Sequence, residues 1–204
     1  MEAFGANVLI EKSVDGAITH ELAERMKTRA VALADQPGHY YADQFGSPDV
    51  RKGYQPMGRE IATVLGGEVD LFCAAVGTGA AMMGSLDGMR EMGLSPKVVE
   101  LEPTQSPLLT TGCSGAHNVE GIAVFPDPPF LDRSQVSEIR TVDQDAAFEM
   151  CRRLAREEGI FCGGSTGLNV CEAIKLAVEL GPAKRIVTLG CDNGSKYLGG
   201  RIFV

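Results

Sequence analysis

The chain has 204 residues, 44% of them hydrophobic and 23% charged, values that suit a protein with one well-filled core and exclude a disordered one. Its formal net charge of −8 argues against nucleic acid or an anionic membrane as the main partner, because both need a basic surface. A small molecule is the expected ligand.

In chain order, a short strand is expected at Val8 to Ile10, then a helix from Gly16 to Ala34 that Pro37-Gly38 stops. His39-Tyr40-Tyr41 lacks a β-branched run, so any strand there is weak. A second helix starts near Pro56, a favourable first-turn residue, and closes on Gly66-Gly67. The run Val69 to Val76 reads as a buried strand that breaks on Gly77-Thr78-Gly79 and passes directly into a helix. A strand at Val98 to Leu101 leads into the irregular stretch Glu102 to Asp132, rich in proline and glycine, and loops of that length are usually functional. Val136 to Val142 is the next strand. Asp143 is a good N-cap for a helix through Glu158, with Gly159 as its C-terminal cap. Ile160 to Cys162 reads as a strand, Ser165 opens a helix that Gly181-Pro182 ends, and Arg185 to Leu189 is the last strand. This alternation predicts an α/β fold: a doubly wound parallel sheet in three α/β/α layers, Rossmann-like.

The strand-to-helix junction at Gly77 to Ala81 is a ready anion site. The first turn of a helix leaves N–H groups without intrahelical partners, and glycines admit close approach. Ile160 to Gly167 repeats the pattern, and in a parallel sheet both junctions would lie at the carboxyl edge, where ligands of open α/β folds bind. Two glycine-rich helix caps would give the same sequence. Leu189 to Tyr197 reads as a strand that ends in short polar side chains able to hydrogen-bond a ligand, and its Asp192-Asn193-Gly194 is equally a plain turn. Glu100 and Glu102 share one face of a strand without an acid/base partner, which reads as solvation at a strand end. Cys73, Cys113, Cys151, Cys162, Cys171 and Cys191 have no Cys-x-x-Cys spacing, and His20, His39 and His117 form no ligand motif, so no metal is expected. No apolar stretch approaches the roughly 20 residues of a membrane span, and Met1 to Asn7 lacks a basic region followed by an apolar one, so a cytoplasmic protein is expected.

Taken together, the motifs resemble the cysteine synthase family, the fold type II pyridoxal-phosphate enzymes that include O-acetylserine sulfhydrylase and cystathionine β-synthase. Val76-Gly77-Thr78-Gly79-Ala80-Ala81 is similar to the family's Val-Gly-Thr-Gly-Gly-Thr phosphate loop, and Leu101 to Pro107 to its Val-Glu-Pro-x-x-Ser-Pro run. Gly115 to Ile122 resembles the Gly-x-His-Lys-Ile-Gln-Gly-Ile loop beside the substrate, and Gln44-Phe45 the Gln-Phe pair whose Gln contacts the substrate carboxylate. Glu157 to Gly167 resembles Glu-Glu-Gly-Ile-x-x-Gly-x-Ser-Ser-Gly, and Gly194 to Tyr197 resembles Gly-Glu-Arg-Tyr.

The resemblance implies pyridoxal 5'-phosphate as cofactor, held by Gly77, Thr78, Gly79, Ala80 and Ala81 at its phosphate and by the Ser165 hydroxyl at its ring nitrogen. Gln44, Gly121 and Ile122 would face an amino-acid substrate. Ala81 stands where the family has a Thr whose hydroxyl donates to phosphate, a loss worth about 0.5–1.5 kcal/mol. The implied reaction is β-replacement on O-acetylserine or a related activated serine, with sulfide as acceptor. None of Lys12, Lys27, Lys52, Lys97, Lys175, Lys184 or Lys196 sits in the family's Ser-x-Lys-Asp-Arg context, and the Thr-Ser-Gly-Asn loop is also missing. Residues 1–40 then correspond to a remnant of the smaller domain and 41–204 to the larger cofactor-phosphate domain. The chain is expected to be a truncated or split form, inactive alone, that pairs with itself as a homodimer or with a complementary amino-terminal fragment. A rival reading is a non-catalytic nucleotide- or phosphate-ligand-binding regulatory module, although Gly77, Gly79 and Gly84 do not fit Gly-x-Gly-x-x-Gly.

Overall fold

The computed structural model describes residues 1–12, 20–122 and 127–203. It forms two compact units, Met1–Asp43 and Gln44–Val204. In the first, residues 8–10 pair with no strand, so the expected first strand is absent. Helix α1, His20–Ala34, follows, and the expected helix start at Gly16 to Thr19 lies outside the described residues. Arg29 reaches back to Glu11 at 2.5 Å.

The second unit begins with the short helix α2, Pro48–Lys52, which the sequence reading missed. Ser47 caps it by accepting a hydrogen bond from the Asp49 amide, and Pro48 supplies the preset φ of a first turn. Helix α3, Gln55–Val64, follows. The other elements are β1 (Leu71–Ala75), α4 (Ala80–Glu91), β2 (Lys97–Pro103), α5 (Leu108–Thr111), β3 (Glu138–Val142), α6 (Gln144–Arg153), α7 (Gly164–Leu180) and β4 (Ile186–Thr188). Asp143 caps α6 as expected, accepting from the amides of Asp145 and Ala146. The α-helix then gives way to one wider π turn, Leu154–Glu158, closed by Gly159 at φ 69°.

The four strands are parallel in the order β3-β2-β1-β4. Cys73 pairs with Val99 on one side and Thr188 on the other. Strand periodicity sends Leu71, Cys73, Val99 and Leu101 to one face, where they pack with Phe148, Cys151 and Leu168 of α6 and α7. Phe72, Ala74 and Val98 face the other way, against Met82, Met83, Leu86 and Met89 of α4. Each of the Leu, Val, Phe and Met side chains contributes roughly 1.5–3 kcal/mol by leaving water. The result is the expected three-layer, doubly wound sheet.

Helices α3 and α4 approach so closely that only glycine fits at their crossing. A Cβ on Gly58 would run into the Ser85 carbonyl, and one on Gly88 into the Gln55 carbonyl. Two expectations fail in this unit. Ile160 to Cys162 is not a strand, since Cys162 alone makes an isolated antiparallel bridge, to Asn193. Glu100 and Glu102 are not solvated but buried, because β2 is an inner strand covered on both faces.

Candidate functional site

β1 ends at Ala75, and the turn through Gly79 delivers the chain into α4. Gly79 caps the helix at φ 86°, a left-handed conformation that side chains rarely adopt, and a Cβ there would lie 2.6 Å from the Leu131 amide nitrogen. The turn is also fastened from outside, because the Phe130 amide donates to the Thr78 carbonyl at 2.9 Å. Thr78 Oγ1 accepts weakly from the Ala80 amide at 3.3 Å. The Ala81 and Met82 amides belong to the first turn and meet no carbonyl of their own helix. The first turn of α4 carries no acidic residue, so its positive dipole end is unopposed. A Cβ on Gly77 would collide with the Gly121 carbonyl, so the expected phosphate loop and the expected substrate loop are in contact.

The second junction is built differently from its sequence. With no strand before it, the Gly163 turn is held by the loop after β4: the Gly163 amide donates to the Asp192 carbonyl, and the Gly194 amide donates to the Phe161 carbonyl. Ser165 stands in the first turn of α7, 6% exposed, and again no acidic residue shares that turn. Thr166 Oγ1 accepts from the Cys191 amide at 2.9 Å. The Cys191 thiol is pushed up by burial, against the opposing effect of a hydrogen bond with Ser165. Asp192 accepts from the Tyr197 hydroxyl at 2.8 Å and pairs with Lys196 Nζ at 3.0 Å. Asn193 caps the 3-10 turn Gly194–Tyr197 through its side chain. The Asp192-Asn193-Gly194 run is thus a turn whose side chains bond within the chain, apart from Asp192 Oδ1, which is buried without a hydrogen-bond partner. Lys196 has its pKa raised by Tyr197 and Asp192 and is held as the ammonium.

Of the expected substrate residues, Gly121 lies against Gly77, as noted. The Ile122 side chain is buried in the core on the α6 and α7 face. Gln44 is exposed in the turn of residues 44–46 before α2. In the Leu101 to Pro107 run, Glu102 accepts from the Leu109 and Thr110 amides and from the Thr110 hydroxyl, so this carboxylate caps α5. Ser106 Oγ accepts from the Gly115 amide at 3.2 Å, tying down the loop that leads to Gly121. His117 has its pKa lowered by burial and remains neutral. Among the described residues no group of His, Cys, Asp and Glu is arranged to hold a metal ion, and no helix is long and apolar enough to cross a membrane. Sequence reading held Thr166 and Cys191 inside its candidate runs without giving them a role, and missed Asn169. The one available signal was an Asn inside the apolar run Leu168 to Cys171.

The family model for pyridoxal-phosphate dependent enzymes matches residues 1–192. The cysteine synthase of Staphylococcus aureus (strain Mu50 / ATCC 700699) is 32% identical over 203 residues, covering 97% of this chain and 63% of that protein. A probable cysteine synthase of Bacillus subtilis (strain 168) is 32% identical over 206 residues, with the same coverage of 97% and 63%. Among solved structures, the cysteine synthase of Entamoeba histolytica superposes with a TM-score of 0.84 at 28% identity, covering 99% of this chain and 59% of that one. An O-ureido-L-serine synthase gives a TM-score of 0.82 at 29% identity, covering 99% and 63%. The chain spans less than two thirds of the length of these relatives.

Proposed function

The chain belongs to the family of pyridoxal-phosphate dependent enzymes, and from that membership we propose that it forms the cofactor-holding part of a cysteine synthase-like enzyme acting on an activated serine. The observation that carries this reading is the pairing of two acid-free, glycine-capped helix starts, the second bearing a buried hydroxyl. Both are joined to the carboxyl end of β1, α4 through the chain and α7 through a hydrogen bond from the Ala75 amide to Asn169. The donor set suits a phosphate monoester at α4, where the Ala81 and Met82 amides would hold the oxygens. It suits a neutral ring nitrogen at α7, where Ser165 Oγ would donate without adding charge.

Bound pyridoxal phosphate supplies an electron sink that lets a leaving group depart from the β-carbon of an activated serine. Ser165 Oγ would donate to an unprotonated ring nitrogen, and the amides and dipole at the start of α4 would hold the phosphate. The loop ending in Gly121 and Ile122 would line the substrate side, with Gln44 as the candidate contact for its carboxylate. The proton transfers need a free amine, and no lysine here is in the family's context. Lys196, at the edge of the α7 junction, is paired with Asp192 at 3.0 Å and lies over the Tyr197 ring. We therefore assign that amine to a lysine-bearing segment outside these 204 residues, in the same polypeptide or a second one, and these residues alone should be inactive.

The test is titration with pyridoxal 5'-phosphate followed by absorbance, with inorganic phosphate as competitor, and a cysteine-forming assay with O-acetylserine and sulfide. The expected result is phosphate-competed binding, no cysteine from this chain alone, and cysteine once a relative's segment with the Ser-x-Lys-Asp-Arg and Thr-Ser-Gly-Asn motifs is co-expressed. Binding indifferent to phosphate would overturn the assignment of the cradle. Cysteine formation by these residues alone would overturn the assignment of the amine.

A further inference from the structure

Asn169 is 0% exposed in the middle of α7, among apolar neighbours. It lies four residues after Ser165, one turn along the same face of the helix. The ladder between β1 and β4 holds three register pairs and ends at Cys73 opposite Thr188. Beyond that pair the Asn169 side chain takes over as the link between the two chains. Its Oδ1 accepts from the Ala75 amide at 2.7 Å, and its Nδ2 donates to the Leu189 carbonyl at 2.9 Å and lies 3.6 Å from Cys191 Sγ. Because an amide N–H requires an oxygen and a carbonyl requires an N–H, only one orientation of the side-chain amide satisfies both. Gly77 is two residues beyond Ala75, and Cys191, whose amide donates to Thr166 Oγ1 next to Ser165, is two beyond Leu189.

We propose that Asn169 is a positioning residue that fixes the separation between the cradle at the start of α4 and the Ser165 hydroxyl, and so selects a ligand that carries a phosphate ester and a ring acceptor at a set distance. The inference rests on the reading of residues 77–81 and 165 as the two ends of a pyridoxal-phosphate site. A helix and two strand ends that are free to slide would still bind phosphate at α4. They would lose the second contact, whose contribution depends on alignment. An Asn that merely satisfied two buried backbone groups would affect stability and leave ligand selectivity alone.

Two ligands separate these cases: inorganic phosphate, which uses the cradle alone, and 4'-deoxypyridoxine 5'-phosphate, which adds the ring but has no aldehyde to react with lysines. Calorimetric affinities are compared for the unmodified chain, Asn169→Ala, Asn169→Asp and a control, Leu176→Ala, which removes a buried side chain, 2% exposed, further along the same helix. Asn169→Asp keeps an acceptor for Ala75 and loses the donor to Leu189. The expected result is a phosphate affinity within about twofold throughout, and a preference for the ring-bearing ligand that falls about fivefold to tenfold in both Asn169 variants, the worth of one neutral hydrogen bond. The preference should persist in Leu176→Ala despite its lower melting temperature. An unchanged preference in folded Asn169 variants overturns the positioning role. No preference in the unmodified chain overturns the cofactor reading itself, and the inference with it. Hydrogen exchange on the unmodified chain covers the case in which the variants do not fold. The ring-bearing ligand should slow exchange at Ala75 as well as at Ala81 and Met82, and protection confined to residues 80–82 overturns the proposal.

Discussion

Glu100 is the least comfortable group in the described structure, and it sets a clear test. It sits on the inner strand β2 at 0% exposure, opposite Ala74 and Ile139, and neither carboxyl oxygen has a hydrogen-bond partner. Burial, reinforced by the charge of Glu102 and opposed by Arg133, pushes its pKa from an ordinary 4.5 up to about 8. At neutral pH the folded protein therefore keeps the proton that the unfolded chain gives up. Below pH 4.5 both states are protonated and the group imposes no linkage cost. As pH rises toward 8 the unfolded state is favoured by about 1.4 kcal/mol per pH unit, so the accumulated loss is on the order of 4–5 kcal/mol and levels off above pH 8. That is a large part of the 5–15 kcal/mol typical of a domain. Urea unfolding at steps from pH 5 to pH 9 should show this decline in the unmodified protein. Glu100→Gln, isosteric and unable to ionise, should flatten the profile and gain about 2–4 kcal/mol on the unmodified protein at pH 9, after the roughly 1–3 kcal/mol cost of its own unpaired amide. Parallel profiles for the two proteins across this range would refute the reasoning.

Other outcomes follow from the same geometry. Ala81→Thr, in the first turn of α4, should tighten binding of inorganic phosphate by about twofold to tenfold, the worth of one added hydroxyl donor, as read by calorimetry. Gly88→Ala should destabilise the chain by about 3 kcal/mol or more in urea unfolding, because the new methyl meets the Gln55 backbone and neither helix can withdraw without opening the core. With iodoacetamide near pH 8, exposed Cys113 should be labelled first and Cys191 more slowly. Cys73 and Cys151, whose thiols burial pushes up to about 11 and about 12, should be labelled only after unfolding, as mass mapping would show.

The sheet and most helix ends were legible because their signals are local. An apolar run broken by Gly77-Thr78-Gly79 can be little else than a strand feeding a helix, and Asp143 and Gly159 mark both limits of the α6 region. The π turn at Leu154–Glu158 was not legible, since widening one turn shifts the register of the face without changing residue types. Ile160 to Cys162 has the composition of a strand but no neighbouring strand to join. Its backbone bonds instead to Leu154 and to the Gly194 turn. The alternation Val98-Val99-Glu100-Leu101-Glu102 implies a strand half in water, and only the flanking strands and covering helices reveal that both faces are closed. For the candidate site, the glycine loop and Ser165 could be found by motif. Asn169 could not, because its role depends on where β1 and β4 part.

The position of β1 between β2 and β4 also shapes how the molecule is made. Its register partner on one side, Lys97 for Leu71, follows 26 residues on, whereas the contact from Thr188 to Cys73 on the other side spans 115 residues of chain. At ribosomal speeds of roughly 5–20 residues per second, that edge of Leu71–Ala75 waits about 6–23 s with its amides and carbonyls unpaired. An apolar strand edge exposed for that long is a template for pairing with another nascent chain. Yield during synthesis is therefore governed by the interval before β4 emerges, and slowing aggregation by lower temperature or holdase chaperones should raise soluble protein more than any gain in final stability.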